Sequence, residues 1–139
     1  MKIELEFNVS IAAGEPKLRI SSRHIDAAEH FFLKEGVFAV TTELNLSPVD
    51  QLKIHFYDKI HADGDKDTFI ELKKIKVDGI NLQQFLFSGK FYPCYNENFY
   101  KEFSPPDYYQ PGTIMYHNGV FEMDIKTPIW KFLMDSHYA

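Results

Sequence analysis

Three carboxylates, Asp63, Asp65 and Asp67, stand at i, i+2 and i+4 within the polar stretch from Asp58 to Asp67. Alternate loop carboxylates can converge on a hard cation such as calcium. The frame is not that of an EF-hand, because Gly64 does not fall at the sixth loop position and the twelfth residue from Asp63 is Lys74, not a bidentate glutamate. A solvated acidic tip is the ordinary reading, and no metal ligand is assigned.

The other reactive side chains also lack a pattern. His24, His30, His55, His61, His117 and His137 form no i, i+4 pair, so a zinc site would need convergence in the fold. Cys94, between Pro93 and Tyr95, has no second cysteine to pair with and reads as a structural thiol. Ser88-Gly89 and Ser104-Pro105 are not nucleophile elbows, and no glycine-rich phosphate loop is present. The sequence therefore predicts a binding domain and not an enzyme, with no cofactor.

Aromatic residues carry the stronger signal. The chain has 13 Phe and 8 Tyr but only 1 Trp. From Lys90 to Pro111 the rings lie among prolines with no sustained period, which predicts a long aromatic loop. Tyr92, Tyr95, Tyr100, Tyr108 and Tyr109 are its candidate binding residues, since tyrosine is enriched in recognition surfaces. Two readings stay open: the rings face a sugar or another protein, or they fold back as a cap on the domain's own core.

The elements that position this loop are strands. Residues 2 to 9 alternate, with Ile3, Leu5, Phe7 and Val9 on one face. Leu18 and Ile20 mark a second strand after the Ala13-Gly14-Glu15-Pro16 turn, Val37 to Leu46 another with Phe38, Val40, Thr42, Leu44 and Leu46 inward, and Leu52, Ile54 and Phe56 the next. In residues 68 to 77 the inward positions slip in phase from Ile70 and Leu72 to Ile75 and Val77, predicting a bulge near Lys73-Lys74. Asp78-Gly79 reads as a tight turn, and Asn118-Gly119 as a hairpin joining Ile114-Met115-Tyr116 to the strand from Val120 to Ile125. Residues 22 to 35 are open between a helix capped by Ser22 and a strand through His30-Phe31-Phe32-Leu33. The expected architecture is all-β: one antiparallel, jelly-roll-like β-sandwich domain over residues 1 to 139, with one short helix as an option.

Composition bounds the partners. At 139 residues the chain is long enough for one good core, and 45% hydrophobic with 25% charged residues is ordinary globular usage. A formal charge of −5 disfavours a phosphate-tracking surface, so nucleic acid is not an expected partner. The alternating charge of Met1-Lys2-Ile3-Glu4-Leu5-Glu6 is unlike a signal peptide, and no apolar stretch suggests membrane insertion.

The runs Leu52 to Lys59, Asp67 to Leu82, and Asn118 to Ile125 with Pro128-Ile129-Trp130 resemble small β-sandwich proteins, similar to carbohydrate-binding modules, found among tailed-bacteriophage structural proteins. The similarity spans roughly residues 50 to 134. It implies a virion location and a structural or adhesion role in capsid decoration, neck, tail or fibre. It also implies docking on other virion proteins or on further copies of the chain, with a glycan as an additional partner. The polar loop before Asp67 is shorter than in such proteins, which argues against carrying over a metal site.

Overall fold

The computed structural model describes residues 1–23, 25–60, 67–94 and 105–126, and side chains within all of these except 25–29. In chain order the elements are β1 (Lys2–Ser10), β2 (Lys17–Ser22), β3 (Ile25–Phe32), β4 (Gly36–Glu43), β5 (Val49–Tyr57), β6 (Phe69–Val77), β7 (Ile80–Asn81), a 3-10 helix (Gln83–Ser88), β8 (Lys90–Pro93), β9 (Ile114–Met115) and β10 (Gly119–Lys126). They form two antiparallel sheets. One has the order β4-β1-β6-β7, with β9 also paired to β6, and the other has the order β3-β2-β5-β10-β8.

Period-two alternation sends alternate side chains to opposite faces, and here it builds a β-sandwich. Ile3, Leu5, Phe7, Ile70, Leu72, Ile75 and Val77 bury inward from the first sheet. Leu18, Ile20, Leu52, Ile54, Phe56, Phe91, Phe121, Met123 and Ile125 meet them from the second. The bulge lies at Lys73: Glu6 opposes Lys74 and Phe7 opposes Leu72, leaving Lys73 as the extra residue, and both lysines are exposed. Inserting one residue there returns Ile75 and Val77 to the core. At the Asp78-Gly79 turn both residues have positive φ, 49° and 79°, which matches the twist of the strands it joins.

One open alternative is resolved and several expectations change. Residues 25 to 32 are a strand, not a helix: β3 pairs with β2, and this pairing overrides the local helix preference of Asp26-Ala27-Ala28-Glu29. The one described helix is instead the 3-10 segment, which buries Leu86. The aromatic segment opens as strand β8, too short for its alternation to show among prolines. Inward-facing Phe38 and Leu46 are only half-buried. Cys94 is exposed and not a packed structural thiol, although its N–H donates to the Asn118 carbonyl at 2.6 Å.

Asn118-Gly119 does not close a hairpin, because β9 pairs with β6 in one sheet whereas β10 pairs with β5 and β8 in the other. The two residues have different tasks. The Asn118 side chain accepts from the Lys59 N–H at 2.8 Å and donates to the Lys59 carbonyl at 3.3 Å. Gly119 lets β8 approach: a Cβ there would lie 2.4 Å from the Tyr92 carbonyl oxygen and 2.8 Å from the Pro93 Cα.

Asp50, 1% exposed, organises the entry to β5. Its carboxylate accepts the N–H groups of Arg23 and Ser47, each at 2.9 Å, and of Gln51 at 2.8 Å. Burial favours the neutral acid, but these donors together with the Ser47 hydroxyl outweigh it and hold the carboxyl below its usual 3.8.

Two substitutions test this framework. Gly119→Ala forces β8 away from β10 and is expected to cost about 1–3 kcal/mol in urea unfolding. Asp50→Asn places an amide against three N–H donors and is expected to cost about 1–3 kcal/mol at neutral pH. Because the folded pKa is depressed, Asp50 contributes its ionisation-linked stability above pH 3.8 and loses it below, so the wild-type advantage over Asp50→Asn should shrink as pH falls under that value.

Candidate functional site

The outward residues of the second sheet form a continuous surface whose make-up follows from register. Arg19 pairs with His30 on one side and His55 on the other, His55 with Val120, and Val120 with Tyr92. One row thus crosses all five strands as His30, Arg19, His55, Val120, Tyr92. A parallel row carries Phe32, Lys17 and Tyr57, and another Lys53, Glu122 and Lys90.

At the β8 edge, Tyr92 and Tyr108 pack with ring centroids 5.7 Å apart and planes tilted by 42°. The Lys90 ammonium lies 4.9 Å from the Tyr108 centroid, a cation–π contact that fixes the ring against the strand. Tyr92 and Tyr108 remain 38% and 44% exposed, more than a ring serving as a core cap would be. Beside them a polar pocket of about 100 Å³ is lined by Gln51, Ser88, Lys90, Tyr92, Glu122 and Asp124. Its floor is ordered: the Gln51 side-chain amide donates to Asp124 at 3.1 Å, and Lys53 and Glu122 are paired at 3.6 Å. Flat rings next to fixed donors and acceptors are the arrangement that binds a ligand with one apolar face and a rim of hydroxyls.

The five candidate tyrosines do not form one group. Tyr92 and Tyr108 share the solvent face of the second sheet. Tyr109, the next residue, exchanges backbone hydrogen bonds with Phe91 and lines a separate apolar cavity of about 310 Å³ with Pro111, Ile114, Tyr116 and His117. Tyr95 and Tyr100 lie outside the described residues, as do Asp63, Asp65, His24, His61, His137 and Trp130. Asp67 is described: it accepts from the Thr68 N–H at 2.8 Å and pairs with Lys59 at 3.0 Å, so one carboxylate of the acidic trio already faces a cation. Among the described residues no His, Cys, Asp and Glu group has metal-binding geometry, and no helix is long and apolar enough to cross a membrane.

Opposite the tyrosine pair, the face is basic and aromatic. His30 Nδ1 and the Tyr57 hydroxyl share a hydrogen bond, with the rings edge-on at 5.7 Å, and His55 lies 5.2 Å from Tyr57. Lys17 pairs with Asp58 at 2.7 Å, which raises its pKa, and stands 5.2 Å from the Phe32 ring centroid. His55 is held below its usual 6.5, first by burial, then by the positive charges of Arg19 and His30, with Asp58 opposing. Sequence reading singled out neither Arg19 nor Tyr57, and weighed His30 and His55 only as metal ligands. The alternation of His55 and Tyr57 with Ile54 and Phe56 marks them as outward, but it does not reveal which strand lies alongside.

No family model matches the chain, and no curated protein matches it. Its fold is similar to a solved structure described as vCBM60 in complex with galactobiose, with a TM-score of 0.60 and 12% sequence identity over 90% of this chain and 100% of that one. That neighbour is a carbohydrate-binding module. At this identity the likeness establishes the β-sandwich fold.

The electrostatics of the basic half can be read directly. In an NMR pH titration His55 should titrate below 6.5; Arg19→Gln should move it up and Asp58→Asn further down. A His55 unmoved by either substitution would contradict this arrangement.

Proposed function

We propose that the chain is a carbohydrate-binding domain whose sugar site is the solvent face of the second sheet at its β8 edge. The observation that carries this reading is the exposed Tyr92 and Tyr108 pair bordering the polar pocket of Gln51, Lys90, Glu122 and Asp124. Sugar rings present C–H groups on one face and hydroxyls around the edge. The tyrosine rings suit the first, and the ordered carboxylates, amide and ammonium suit the second. The fold shared with a protein bound to galactobiose adds support and suggests galacto-oligosaccharides as the first probe. Of the two roles the sequence suggested, docking in a virion and binding sugar, these observations favour sugar.

The test is a glycan array followed by calorimetric titration. Tyr92→Ala and Tyr108→Ala should each weaken the best ligand by about tenfold or more, as loss of a central aromatic anchor does. Tyr109→Ala, on the other side of β8, should bind close to wild type. A blank array, together with a sedimentation mass that rises with protein concentration, would overturn this reading in favour of assembly.

A further inference from the structure

The positive charge of Arg19, second in the row from the β3 side, is unbalanced. Lys17 faces Asp58, and Lys53 faces Glu122. Arg19 has no ion pair among the described residues, and its Nε is covered by neighbours without finding an acceptor. The register partners on either side of it are His30 and His55, neither of which can supply a negative charge. The chain carries five more acidic than basic residues, 20 against 15, so leaving this guanidinium unmatched does not reflect a shortage of carboxylates.

Arg19 also stands in the same row as Tyr92, three strand spacings away across β5 and β10. At about 4.8 Å per spacing the separation is roughly 14 Å. A sugar chain seated on Tyr92 and running across the strands passes His55 and reaches Arg19. Resting on the reading of this face as a sugar-binding surface, we infer that the ligand is an acidic glycan, and that Arg19, flanked by His30 and His55, takes an anionic substituent on a sugar further along the chain. A uronate carboxylate and a sulfate ester share the required chemistry: both offer paired anionic oxygens to the guanidinium fork.

The surroundings set the pH response. Arg19 on β2, His30 on β3 and Asp58 after β5 act on His55, Tyr57 packs beside it, and the register sets Lys17 on β2, Lys53 on β5 and Glu122 on β10 at the next outward positions of the same face. An anion at Arg19 offsets the positive charge that opposes protonation of His55, so affinity for an acidic chain should rise as pH falls through the histidine range. The sugar's own acid stays ionised there.

The experiment is calorimetric titration with three sets of oligomers matched in length: oligogalacturonate, sulfated galacto-oligosaccharide, and neutral galacto-oligosaccharide. It is run at about pH 5.5 and about pH 7.5 on the wild type, Arg19→Gln, Arg19→Lys and His55→Gln. At least one anionic set should bind about tenfold tighter than the neutral set, and the tighter of the two identifies the substituent. Arg19→Gln should remove the preference and leave neutral binding unchanged. Arg19→Lys, which keeps the charge but loses the fork, should retain part of it and serves if the glutamine variant folds poorly. His55→Gln should reduce the pH dependence. Neutral oligomers binding as well as anionic ones, or an equal effect of Arg19→Gln on both, would overturn the acidic-glycan inference while leaving sugar binding intact. If none of the three sets binds, the sugar-binding reading fails and takes this inference with it.

Discussion

The packing of two sheets through alternate residues is the constraint on which everything else depends. Strands β1, β5 and β10 commit every second side chain to the shared core, as β5 does with Leu52, Ile54 and Phe56, and turn the intervening ones outward. A one-residue slip would exchange the two sets, so the core fixes register strongly. The same constraint composes the outer face. Because Leu18, Ile54 and Phe121 must point inward, Arg19, His55 and Val120 must stand side by side on the outside. The bulge at Lys73 and the close approach at Gly119 are local adjustments that keep this alternation intact where strands bend or crowd.

Much of this scaffold was legible in the sequence, because burial on one face leaves a period-two signature in a single strand. β1, β2, β5 and β6 show it, and even the bulge appears as a phase slip between Leu72 and Ile75. Pairing is a different matter. Asn118-Gly119 looks like a hairpin because the apolar runs on either side are close in sequence, yet those runs belong to opposite sheets, and the asparagine serves the Lys59 backbone instead. Strand β3 was ambiguous for a different reason: its helix-favouring residues are overruled by pairing with β2, the strand immediately before it in the chain.

The candidate site was legible only in part. Tyr92 and Tyr108 were identifiable as aromatic residues near prolines, but their alliance was not, since it depends on the chain returning beside β8. Tyr109 was grouped with them by adjacency, whereas the backbone bridge to Phe91 turns its ring toward a different cavity. The basic half of the face could not be found at all from one strand. It exists only once β3, β2 and β5 are laid in order, when three separated residues become His30, Arg19 and His55 in a row.

A surface with exposed tyrosines at one end, ordered polar groups beside them and an unmatched guanidinium at the other suits an elongated, hydroxyl-rich ligand lying across the strands. The central claim is that this solvent face of the second sheet is where sugar binds. Its most direct test is amide chemical-shift mapping as oligosaccharide is titrated into the labelled protein. Shifts concentrated at Gln51, Lys90, Tyr92, Tyr108 and Glu122 are the predicted result; shifts confined to the first sheet around β4 and β7, with these residues unmoved, would contradict it.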